Sequence, residues 1–144
     1  MGRRTFATVQ RSFADEVASA FGFLANEFGF VGPELRGEVL PIVAFAGRGL
    51  RYEIMLAPDD VAVITQVEVD LGSTRLVGNL ANLVPAAGLG SPNQIAQSAH
   101  TLYGLRRALA SQARYVRLLQ PHLGPETVVE LLRAANAREW TVPH

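Results

Sequence analysis

The apolar residues near the start of the chain recur with a helical period. Phe13, Val17, Phe21, Leu24 and Phe28 follow one another at spacings of four, four, three and four, which stacks them on one face of a helix. Ser12 stands where an N-cap is expected, and Asp15 and Glu16 fall in the first turn, where the helix dipole favours negative charge. Gly29 is placed to end the helix. A helix of this kind is aromatic on its buried side and requires a broad apolar surface to lie on.

Beyond it the period drops to two, the alternation of half-buried strands. A four-residue turn at Ala57-Pro58-Asp59-Asp60 pairs Leu56 with Val61, Ile54 with Val63, Tyr52 with Thr65 and Leu50 with Val67. A second four-residue turn, at Ala46-Gly47-Arg48-Gly49, pairs Phe45 with Leu50, Val43 with Tyr52 and Val39 with Leu56. The two turns are independent, yet their parity puts the same apolar residues on one face. Arg51, Glu53, Met55, Ile64, Gln66, Glu68 and Asp70 then share the opposite face, a mixed surface suited to water or to partial cover.

Gly72-Ser73 turns the chain again into a short strand over Thr74–Leu80, and Asn82 to Asn93, with its glycines and prolines, reads as a loop. Ser91-Pro92 has the signature of an N-cap followed by a first-turn proline. It predicts a long helix to about Leu119, with Ile95, Ala99, Leu102, Leu105, Leu109, Ala113, Val116 and Leu119 as its apolar stripe. Pro121 disfavours continuation, and Glu126 to Ala137 reads as a short amphipathic helix. The order of elements predicts an α+β fold: an antiparallel β-meander of three to four strands, with an N-terminal helix and a long C-terminal helix packed on one face and a short final helix. A flexible basic arm is expected at 1–11, a single α+β domain at 12–139 and a tail at 140–144.

Composition adds bounds. With 49% hydrophobic and 18% charged residues in 144, the chain has apolar material for a real core and too little charge for general disorder. Its 13 basic residues, all Arg, balance 13 acidic ones, so net charge supplies no general pull toward nucleic acid or an anionic membrane. Absence of Lys beside abundant Ala, Gly, Val and Leu suggests a GC-rich bacterial source. The charges are nonetheless segregated: residues 12 to 70 are net negative, whereas Leu71 to Pro125 contains no acid and carries Arg75, Arg106, Arg107, Arg114 and Arg117. With no Cys, thiolate metal sites, disulfides and cysteine nucleophiles are excluded. No apolar run approaches the ~18 residues of a membrane span and no signal-peptide core is present, so a cytoplasmic location is expected.

The predicted long helix carries the most distinctive chemistry. His100, Tyr103, Arg106, Arg107, Arg114 and Arg117 project into one sector beside its apolar stripe, with no acid on the helix to neutralise them. Arginine forks in such a stripe suit carboxylates and phosphates, and these six residues are the candidate binding residues. The plainer reading is a solvated face, or pairing within the fold with the acids of the sheet. Other constellations stay at their plain reading. Gly88-Leu89-Gly90-Ser91 lacks the Lys of a P-loop, Asp59-Asp60 suits a turn, and His100, His122 and His144 lie far apart. The serines lack a nucleophile-elbow context. Neither a catalytic residue, a metal site nor a cofactor is expected. Trp140 is either a docking residue or a side chain packed back on the domain.

An aromatic helix ending in Phe28-Gly29-Phe30, a hairpin meander and a long Ala- and Leu-rich helix together resemble small bacterial α+β domains of the toxin-immunity type. The absence of catalytic motifs and the segregation of charge point to a non-catalytic protein-interaction domain, immunity- or chaperone-like, that uses the exposed sheet face or the arginine stripe, with another protein or a second copy of the chain as partner. The alternative is a small-ligand or anion-binding domain with a pocket between the long helix, the 82–93 loop and the sheet, where Tyr103 and Arg106 supply polar contacts.

Overall fold

The computed structural model describes residues 2–37, 41–57 and 61–141, with side chains from residue 7 onward. Two helices open the chain, α1 (Gly2–Phe21) and α2 (Phe23–Asn26). Five strands follow: β1 (Val31–Arg36), β2 (Ile42–Gly47), β3 (Leu50–Ala57), β4 (Ala62–Asp70) and β5 (Thr74–Asn79). Helices α3 (Leu80–Ala86), α4 (Leu102–Leu119) and α5 (Val128–Ala134) precede a last strand, β6 (Arg138–Thr141). All six strands form one antiparallel sheet in chain order.

The α+β expectation holds, but the sheet has six strands rather than three to four. The additional strands are the two edges. Strand β1 contains Gly32-Pro33 and is largely exposed, and β6 is four exposed residues long, so neither shows an alternation that a period test can detect. Both central hairpins are also shifted by two residues from the expected pairing. Arg48 and Gly49, with φ of 55° and 77°, make a two-residue turn of the type that follows strand twist, so Phe45 lies opposite Tyr52. At the next hairpin Leu56 pairs with Val63 and Leu50 with Val69. A shift of two conserves parity, so the predicted faces survive the change of register. The pairing expected for Val39 lies outside the described residues.

Leu50, Tyr52, Ile54 and Leu56 of β3 and Val63, Val67 and Val69 of β4 are buried on the inner face. The helices cover that face with Val9, Phe13, Val17, Phe21 and Leu24 on one side and Leu105, Leu109, Val116 and Leu119 on the other. Helix α1 begins at Gly2 and runs through the segment expected to be an arm, which places Ser12 in its interior. Val9, four residues before Phe13, extends the apolar stripe and is fully buried.

The long helix begins at Leu102, not at Pro92. Ser91 caps only a 3₁₀ turn over Pro92–Gln94, and the Thr101 hydroxyl accepts from the Gly104 N–H to cap α4. Between them lies an extended strap. Val63 N–H donates to Gln97 O at 2.8 Å, and Ala99 N–H donates to Val61 O at 2.8 Å, so the strap completes the part of β4 that lies beyond the end of β5. Ile95 and Ala99 are buried there in extended backbone, and their spacing mimics a helical stripe. The expected 82–93 loop is partly helix α3, because Leu80, Leu83 and Val84 sit at i, i+3 and i+4 and are all buried.

Candidate functional site

Because the helices cover one face, the outward-pointing side chains of the strands define the other. Strand register lines up Ala46, Arg51, Glu68, Val77 and Arg138 side by side across β2 to β6. Asp70, Arg75 and Trp140 form the adjacent row, and Glu53 with Gln66 the row on the other flank. All of these side chains except Ala46 and Asp70, together with Arg36, Gly37 and Ile42, line an open groove of about 390 Å³. A smaller notch of about 210 Å³ shares Arg51, Glu68 and Arg75 with it and adds Asp70.

The acids of this face sit among its arginines without satisfying them. Glu68 lies 3.5 Å from Arg75 and 4.0 Å from Arg51, and Asp70 lies 4.0 Å from Arg75 Nε. None of these contacts reaches hydrogen-bond geometry, and Arg75 Nε is buried with no hydrogen-bond partner. No described acid lies within ion-pair distance of Arg36 or Arg138. Burial, together with the neighbouring Glu68, raises the Glu53 carboxyl above the usual carboxylate range, against the pull of Arg36 and Arg51. Protonation of Glu53 would make the groove more strongly positive.

The six candidate residues of the long helix fare differently. Arg106 Nε donates to Glu16 at 3.0 Å, and Arg117 Nη1 donates to Glu27 at 2.9 Å while its guanidinium stacks 4.3 Å from the Phe23 ring centroid. That hydrogen bond holds the Glu27 carboxyl below the usual carboxylate range. Two arginines therefore pin α4 to the N-terminal helices, the pairing within the fold that the plainer reading allows, although with helix acids rather than sheet acids. Arg114 stacks at 5.8 Å on its own neighbour Tyr115. Tyr103, 76% exposed, and Arg107 border a shallow hollow of about 250 Å³ against Ala96–Ser98. His100 is exposed in the bend before α4. The six point to separate surroundings.

Between the long helix, the 82–93 segment and the sheet, Leu83, Val84 and Tyr115 are buried, while Tyr103 lines the hollow beside Ala96–Ser98 and Arg106 pairs with Glu16. Among the described residues no three His, Asp or Glu side chains cluster as metal ligands, and no helix is long and apolar enough to cross a membrane.

Strand alternation places the acids and Arg51 on the outer face but carries no such signal for its other cations. Arg75 is the exception in principle, because pairing across the Gly72-Ser73 turn puts it opposite Asp70. Arg36 and Arg138 lie on the two edge strands and had no comparable signal. Comparison with family models, with curated proteins and with solved structures finds no match.

Proposed function

We propose that the chain is a non-catalytic protein-interaction domain, immunity- or chaperone-like in that it binds and holds a second protein. The open face of its sheet is the working surface. One observation carries this reading: four arginines, Arg36, Arg51, Arg75 and Arg138, line one groove, and none of them hydrogen-bonds a described side chain. By contrast, Arg106 and Arg117 of α4 each hydrogen-bond a glutamate. Guanidinium forks that make no hydrogen bond to a described side chain, on an uncovered face, favour a partner that brings carboxylates, because charge-assisted bidentate bonds form there without displacing an existing hydrogen bond.

Capture on the tagged protein from native lysate, read by mass spectrometry, tests the proposal. Wild type is expected to retain a partner that the Arg51→Glu/Arg138→Glu variant loses and that an Arg107→Glu/Arg114→Glu variant keeps. Loss in the second variant but not the first would move the working surface to α4. Recovery of no partner, together with thermal stabilisation by a small anion alone, would replace the proposal with a small-ligand function. Light scattering separates the case in which the partner is a second copy of the chain.

A further inference from the structure

Within the groove the side chains of β5 and β6 make a more specific feature. Arg75 faces Trp140 directly across the two strands, and Arg138 faces Val77, so the two arginines stand on one diagonal of the four and Val77 and Trp140 on the other. Val77 is buried although it belongs to the outer face. All four line the groove, so an apolar floor at Val77 and an indole, 41% exposed, at Trp140 lie beside two guanidinium-bearing side chains. Arg75 Nε is a buried donor without a partner, and Arg138 has no described acid in range.

Building on the open face as the working surface, we infer that Arg75, Arg138, Val77 and Trp140 form a seat for one glutamate-type carboxylate of the partner. The apolar floor and indole wall would receive the methylene stem, and the two arginines would hold the carboxylate. Charge count selects a carboxylate over a phosphate. Glu68 and Asp70 already rim the seat on its β4 side, so each additional negative charge meets repulsion, and a single charge fits where a double one is opposed.

Trp140 is the chain's one tryptophan, so its fluorescence reports on the seat directly. The probe is a tetraglutamate peptide blocked at both ends, titrated at constant ionic strength beside blocked tetraglutamine and inorganic phosphate. A saturable fluorescence change with tetraglutamate is expected, with none from tetraglutamine and a weaker response to phosphate. Arg75→Gln and Arg138→Gln should each weaken the peptide by about tenfold, the loss of one charge-assisted contact. Arg114→Gln, on α4, should leave it unchanged, and thermal melts confirm that each variant is folded.

Silence with tetraglutamate, an undiminished response in Arg138→Gln, or phosphate binding as tightly as the peptide would each overturn the seat. The two proposals fail separately. A partner captured through Arg36 and Arg51 while tetraglutamate is silent removes the seat and leaves the interaction face, whereas tetraglutamate binding with no partner captured does the reverse.

Discussion

Two buried polar arrangements show how much a single side chain holds in place. Gln112 of α4 accepts from the Thr65 hydroxyl at 2.6 Å and donates to Val63 O at 2.8 Å and Ala96 O at 2.9 Å. One amide thus ties α4 to β4 and to the strap that precedes the helix. Gln112→Leu would strand one buried and one part-buried acceptor and a hydroxyl, and is expected to cost about 2 to 3 kcal/mol in chemical denaturation. Thr65→Val removes one bond only and should cost about 1 kcal/mol. The Tyr52 hydroxyl likewise donates to Gln120, and burial pushes its pKa far above the ordinary tyrosine value. On the outer face, Glu53 has the opposite sign of effect from a salt-bridged acid. With its folded pKa raised, the stability it contributes is complete below the ordinary value near 4.5 and is lost as pH rises through the folded value. Glu53→Gln, which mimics the protonated form, should therefore melt higher than wild type at pH 7.5 and at about the same temperature at pH 4.

Among the elements, boundaries follow from caps and close contacts more than from period. Thr101 caps α4 where Ser91 was expected to, so Thr101→Ala should cost about 1 kcal/mol, whereas Ser91→Ala disturbs only a 3₁₀ turn. Helix α5 sits so close to β5 that a Cβ at Gly78 would stand 2.8 Å from Leu132 Cδ2. Gly78→Ala is therefore expected to destabilise by about 1 to 3 kcal/mol, and the double variant with Leu132→Ala should lose less than the sum of the two, measured as a double-mutant cycle. That contact matters to the candidate site because Asn136, at φ 57°, ends α5 and turns the chain into β6, which carries Arg138 and Trp140.

For the molecule as a whole, the two kinds of arginine make the decisive contrast. On α4, Arg106 and Arg117 tie the helix to the N-terminal segment, and ion pairs at such exposed positions add little stability each. The arginines of the sheet gather from β1, β3, β5 and β6 on the face the helices leave bare. Charge reversal at Arg51 and Arg138 should consequently change binding while leaving the melting temperature nearly unaltered, because the inner core does not touch them. A fall of many degrees in that variant would instead mark these arginines as structural.

What was legible in the chain without coordinates is what a short repeat can encode. The buried stripe Phe13–Val17–Phe21–Leu24, the inner face of the central strands, and the outward position of Arg51, Glu53, Glu68 and Asp70 all follow from periods of 3.6 and 2. Parity survived even a register error of two residues, because faces depend on odd and even alone. Pairings between distant segments had no such signature. The strap at 97–99 lies against β4 because backbone groups there lack another partner, and its Ile95 and Ala99 imitate a helix. Strand β6 reaches β5 only after three intervening helices, so nothing near Arg138 or Trp140 revealed that they would stand beside Arg75. The groove is a product of that long-range closure: local sequence decides which way each side chain points, and the packing of the whole sheet decides which side chains meet.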